Sequence, residues 1–161
     1  MPNWCSNTLV LTHDDPAMID RAEAAVKEGK LLQEFVPRPA DQEENWYEWN
    51  VANWGTKWDV GDEHSVADKE TNTIHLSFES AWAPPTKAYE TLQELGFTVN
   101  ATYYEPGMCF AGVFNEDGDD YYEYGDMSAQ EVRDTLPSDL DQEYGISDYL
   151  EECESEQEDE E

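Results

Sequence analysis

Positive charge is what this sequence lacks most. Eight lysines and arginines stand against 39 aspartates and glutamates, a formal net charge of −31. Such a field repels phosphate backbones and anionic lipid headgroups, which argues against direct nucleic-acid or membrane binding. Cysteine is scarce too. Cys5, Cys109 and Cys153 are an odd number with no CxxC pair. They suit reduced thiols in a cytoplasm better than a disulfide framework or a zinc site. No apolar run approaches the roughly 20 residues of a membrane span. The N-terminal stretch MPNWCSNTLVL has no basic region and no cleavage site, so no signal peptide is expected. Catalytic signatures are missing as well: there is no G-x-S-x-G, Walker loop, HExxH or Cys-His arrangement. No cofactor, metal or catalytic residue is expected, and the protein reads as a non-enzyme.

Aromatic residues are what the chain has in plenty. They make up 12% of it, with six tryptophans, so a core is feasible despite a modest hydrophobic share. The acids are unevenly placed. Residues 1–114 hold 19 acids and 7 bases, whereas residues 115–161 hold 20 acids and one arginine.

Periodicity organises the first 125 residues. WCSNTLVLTH (4–13) reads as a strand. Asp15 then caps a helix that starts with Pro16 and stops near Gly29. A short helix is expected within 41–55, and TKWDV (56–60) reads as extended. In residues 71–82 Ile74, Leu76 and Phe78 alternate with Thr73, His75 and Ser77, a half-buried strand. A second helix follows Pro84 and Pro85 and stops at Gly96. Residues 97–105, 108–114 and 120–125 form a meander joined by PG and DG turns. This order predicts an α+β fold of ferredoxin-like, split βαβ type: an antiparallel sheet with helices on one face, plus an extra β-hairpin. An acidic C-terminal extension completes it. Ser128 and Glu131 form a capping box there, with Met127 placed to staple against Val132. The expected organisation is a domain over 1–125, short helices over 126–151 and a disordered acidic tail over 152–161.

Four segments, MPNWCSN, NWGTKWD, SAWAPP and YYEPGMCFAG, resemble in content and order the signature blocks of the YubB-like family. That family is a ferredoxin-like domain of phage, prophage and plasmid proteins. The resemblance spans roughly residues 1–125 and implies the fold and a mobile-element origin. It implies no reaction.

Two candidate sites follow. In an extended NWGTKWD segment Trp54, Thr56 and Trp58 share one face. Their rings are read as core packing. The alternative is an aromatic groove of Trp54, Lys57, Trp58 and Trp82 that stacks on a base or a side chain. Lys57 is expected to pair with Asp59 or Glu79. The second candidate is the acidic hairpin NEDGDDYYEYGD, with Glu116, Asp117, Asp119, Asp120, Glu123 and Asp126 as partner-binding residues. It lacks the order of a calcium loop. Histidines 13, 64 and 75 read as turn and surface residues, and Cys5 and Cys109 as buried strand residues.

Three functional readings are open. The first is a cytoplasmic interaction protein of a mobile element that offers a DNA-like acidic surface to a basic, nucleic-acid-handling or defence protein. In the second, the acidity is an adaptation to high salt or a solubility device on a domain that binds another ligand. The third is an enzyme of unknown type. The oligomeric state stays open in all three.

Overall fold

A computed structural model describes residues 3–63 and 65–160; His64 lies outside the described residues. Among these, six strands and seven α-helices follow in chain order. Strand β1 (Trp4–Thr12) leads into α1 (Pro16–Lys27), α2 (Leu31–Phe35) and α3 (Trp46–Asn53). A hairpin of β2 (Val66–Lys69) and β3 (Thr73–Ala81) precedes α4 (Thr86–Glu94). The meander β4 (Thr98–Glu105), β5 (Phe110–Asn115) and β6 (Gly118–Glu123) then gives way to α5 (Ala129–Thr135), α6 (Ser138–Tyr144) and α7 (Ile146–Glu160). The strands make one antiparallel sheet in the order β2-β3-β1-β4-β5-β6. The class is mixed α+β.

Register decides which side chains share a face. Leu9 lies opposite Leu76 on one side and Ala101 on the other, and Leu11 opposite Ile74 and Val99. With Phe78 and Phe114 they form the apolar first face. Ile19, Ala22 and Val26 of α1, Leu31, Leu32 and Phe35 of α2, and Ala88, Tyr89 and Leu92 of α4 pack onto it. The expected cap is in place, since Asp15 accepts a hydrogen bond from the Ala17 amide at 3.0 Å.

Helices cover both faces, not one. On the second face Tyr104, Ala111, Val113 and Tyr122 project from β4, β5 and β6 and pack against Val132, Leu136, Leu140 and Ile146 of the C-terminal helices. The outward positions of the meander are apolar, so they require a cover of their own. Over β1 and β3 the second face stays open and polar, with Ser6, Thr8, His75, Ser77 and Glu79.

Three other expectations are corrected. The strand expected at 56–60 is a series of turns, and the edge strand lies at Val66–Lys69 instead. Gly55 (φ +89°) and Gly61 (φ +100°) bend that stretch, and Asp59 accepts hydrogen bonds from the amides of Leu32, Gln33 and Val60, which fixes it to α2. Cys5 is buried, but Cys109 sits half-exposed in the β4–β5 turn with φ +59°. The acidic tail continues α7 to Glu160. Its first turns are tied to α5: Arg133 meets Asp148 at 3.5 Å and Glu151 at 2.9 Å, and Glu154 accepts from the Ala129 amide at 3.0 Å. Once those turns are fixed, each further residue adds a hydrogen bond without a new nucleation cost, and Glu and Gln are good helix formers.

Candidate functional site: an aromatic cluster and its groove

The segments MPNWCSN, NWGTKWD, SAWAPP and YYEPGMCFAG, far apart in sequence, meet at one end of the sheet. Trp4 opens β1 opposite Ala81, and the Trp82 amide donates to the Asn3 carbonyl at 2.8 Å. Thr56, buried, donates its hydroxyl to the Ala81 carbonyl at 2.8 Å. Ser80 accepts from the Asn7 side-chain amide at 2.9 Å and donates to the Ala83 carbonyl at 2.7 Å. Asn7 Oδ1 is buried without a hydrogen-bond partner among the described residues. Gly55 lies so close to the start of α4 that a Cβ there would stand 3.1 Å from the Lys87 amide nitrogen and 3.2 Å from that of Thr86. Asn50, buried in α3, donates to the Lys57 carbonyl at 2.8 Å and accepts from Arg38 at 3.0 Å. The fourth segment supplies Glu105, a buried carboxylate that accepts the Gly107 amide at 2.6 Å and the Met108 amide at 2.7 Å.

This scaffold holds Trp82 at φ +69°, a backbone region that bulky residues seldom occupy. It also separates the two tryptophans of NWGTKWD. Trp54 is 2% exposed and belongs to the first-face core, its indole N–H donating to the Val36 carbonyl at 2.9 Å. Trp58, expected beside it in the core, is instead at the surface, because the chain turns at Gly55. Lys57 pairs with neither Asp59 nor Glu79. Its ammonium sits 4.6 Å from the Trp58 ring centroid, 4.9 Å from that of Trp82 and 5.9 Å from that of Tyr47. Trp4 adds a ring 6.1 Å from Trp58, and Trp46 lies edge-on to Tyr47 at 5.9 Å. These five rings are each 37–45% exposed. The structure thus brings Lys57, Trp58 and Trp82 together, leaves Trp54 out, and adds Trp4, Trp46 and Tyr47. Composition held a hint: a chain this short does not bury six tryptophans.

Beside Trp4 an open groove of about 800 Å³ crosses the polar part of the second face. Ser6, Thr8, Ser77 and Glu79 lie along it, with Tyr144 of α6 and with Asp59, Gly61, Asp62 and Ser65 also in its lining. Among the described residues no lysine or arginine lines it.

The hairpin acids do not form one surface. Glu116 and Asp117 sit at the tip of the β5–β6 turn, at the end of the sheet away from Trp4. Strand alternation sends Asp119 and Glu123 to the first face and Asp120 to the second; Asp126 lies beyond the strand. All six are exposed. Asp119 accepts the Tyr103 hydroxyl at 2.6 Å, a bond that passes over Gly112, where any Cβ would collide with that hydroxyl. Partial desolvation of its carboxyl, where it packs on Tyr103, raises Asp119 above its ordinary value, with the Tyr103 bond opposing the shift and the Asp120 charge adding to it. Among the described residues no group of three or more His, Cys, Asp or Glu is arranged to hold a metal ion, and no helix is long and apolar enough to cross a membrane. His13 bridges instead: its Nδ1 accepts from the Asp15 amide at 2.9 Å and its Nε2 lies 3.1 Å from the Leu95 carbonyl.

No family model and no curated protein matches the sequence. Among solved structures, the chain is similar to a protein api92 from Yersinia pseudotuberculosis, described under the family model DUF1281. Identity is 19%, over 58% of this chain and 39% of that one, with a TM-score of 0.44. The chain spans about two fifths of that structure's length.

Proposed function

We propose that this protein is a non-enzymatic interaction module that binds a basic, nucleic-acid-handling protein in place of DNA. The observation that supports it is the folded C-terminal layer. Residues 115–161 hold 20 acids and a single arginine, and that arginine is already engaged by Asp148 and Glu151. The carboxylates are mounted on a hairpin and packed helices, which lowers the entropy lost on binding. Duplex DNA presents one charge per ~1.7 Å, and carboxylates held at high density on folded elements are a stand-in for it.

The YubB-like, mobile-element reading is part of the same proposal and rests on the four segments. The ferredoxin-like reading is supported by the strand order β2-β3-β1-β4, antiparallel throughout, with α1 and α4 in the two crossovers. The β5–β6 hairpin and α5–α7 are then additions. We place the protein in the host cytoplasm.

The test uses the full chain immobilised and exposed to cell lysate at low and moderate salt. The expected outcome is capture of basic proteins that duplex DNA displaces and that rising salt releases steeply. A variant carrying Glu116→Gln, Asp117→Asn, Asp119→Asn and Asp120→Asn should recover less. Equal recovery by both, with DNA failing to compete, would leave the acidity as an adaptation to the surrounding salt. That second reading is favoured by the excess of acids in residues 1–114 as well.

A further inference from the structure

The polar groove beside Trp4 is a built surface that the acidic layer does not use. We propose that it receives an extended, arginine-bearing segment of the basic partner. The guanidinium would stack on Trp4 and donate to Glu79 and the neighbouring hydroxyls. This rests on the reading that the partner is basic and names where, and by what chemistry, it is gripped.

The lining selects the ligand by charge. Glu79 is a carboxylate, Ser6, Thr8 and Ser77 carry hydroxyls, and among the described residues no lysine or arginine lines the groove. Asp59, though on the lining, is already committed to three backbone amides. A phosphate or carboxylate ligand would be repelled by Glu79 and would find hydroxyls but no lysine or arginine among the described lining residues. A cation meets the Glu79 carboxylate and the hydroxyl oxygens, inside the field of a chain of net charge −31. The aromatic wall narrows the choice further. Lys57 already occupies the Tyr47, Trp58 and Trp82 side of the cluster, so an incoming cation finds its free ring at Trp4. Arginine fits better than lysine, because its planar fork stacks on an indole and still offers several N–H donors to carboxylate and hydroxyl oxygens. The floor of the groove is the open part of a sheet face, over which an extended segment can lie without displacing a helix.

The probe is a capped hexapeptide, acetyl-Gly-Arg-Gly-Arg-Gly-Ser-amide, titrated into isotopically labelled full-length protein at physiological salt. Its counterpart carries citrulline, the neutral isostere, in place of both arginines. Saturable shifts are expected at the Trp4 indole and at the Ser6, Thr8 and Ser77 amides, with the citrulline peptide at least about tenfold weaker. Trp4→Ala and Glu79→Gln should each weaken binding by about five- to tenfold. Trp4→Phe, which keeps a ring, should recover most of the loss and guards against misfolding of the alanine variant. Equal binding of the two peptides would overturn the charge selection and make this a site for neutral polar ligands. Shifts confined to α5–α7 and the hairpin would overturn the groove while leaving the basic-partner reading standing. The absence of any arginine-dependent shift, even at low salt, would remove both.

Discussion

The two faces of the sheet are covered in different ways. The first is closed by aliphatic and aromatic side chains from α1, α2 and α4, nearly all fully buried. The second is closed over β4–β6 by tyrosines, a few aliphatics and a set of polar ties. Tyr104 stacks between Tyr124 and Tyr144 at 6.2 and 5.2 Å, and Thr102 donates to Glu143 at 2.6 Å. Hydrophobic burial carries no titrating group and is not weakened by charge screening, whereas ionic ties and carboxylates respond to both pH and screening. The first face is therefore the main source of bulk stability, and the titratable ties lie on the second face and in the rim and loops around the sheet.

The largest effect separates the two tryptophans of NWGTKWD. Trp54→Ala should cost about 3–5 kcal/mol, because it empties a core site and leaves the Val36 carbonyl unpaired. Trp58→Ala should cost at most about 1 kcal/mol, the worth of a half-exposed ring with one cation against it. Denaturant unfolding of both variants measures this. Equal losses would merge the two environments that the structure keeps apart.

A smaller, more local effect is expected on the second face. Asp141 is buried and accepts both the Ser147 amide at 2.7 Å and the Ser147 hydroxyl at 2.6 Å, which anchors the start of α7. Asp141→Ala should cost about 1.5–3 kcal/mol. Amide exchange should speed up in α7 before it does in β1 and β3. Uniform acceleration would mean that the two layers open together. Tyr144 points the same way. Its hydroxyl is pushed up to about 12, chiefly by burial. Its contribution is full below about pH 10, where the unfolded phenol starts to ionise. It is lost as pH rises through the folded value. Alkaline titration should therefore loosen this layer first, read by tyrosinate absorbance.

Much of the fold was legible because its long elements carry strong local signals. Period-two alternation marks β1 and β3, and Asp15 and Ser128 mark helix starts that their side-chain bonds confirm at 3.0 and 3.2 Å. What escaped depends on distant partners. β2 is four residues of mixed polarity and exists by pairing with β3. α2 is five residues pinned by Asp59, 27 positions away. The tail reads as disorder from composition, yet it extends a helix that Arg133 and Ala129 hold from α5. At the aromatic cluster the sequence brings Lys57 and Trp58 together by adjacency, and Trp82 was within its reach. Trp4 arrives only through the β1–β3 register, and Tyr47 only through the Asn50 tie of α3 to Lys57, so neither leaves a local mark.

The smallest expected effect concerns pH and the rim of the sheet. Asp119 has its pKa raised, first by partial desolvation and then by Asp120, against the pull of the Tyr103 hydroxyl. Asp59 is raised as well, with burial outweighing three amide bonds and the charge of Arg38. A carboxyl whose folded pKa lies above its unfolded value binds its proton more tightly in the folded state. Its stabilising contribution is complete below the unfolded value, near 3.8 to 3.9. It disappears as pH rises through the folded value. Mutual repulsion among 39 acids acts in the same direction and is screened over about 8–10 Å by salt. The melting temperature should therefore rise on mild acidification from neutral pH, and added salt at neutral pH should mimic part of that rise. Asp119→Asn keeps an acceptor for Tyr103 and removes the charge, so it should melt slightly higher than the parent at pH 7 and show a shallower pH dependence. A variant that melts lower than the parent at neutral pH would mean that the ionised Asp119 earns more from Tyr103 than it loses to burial and Asp120.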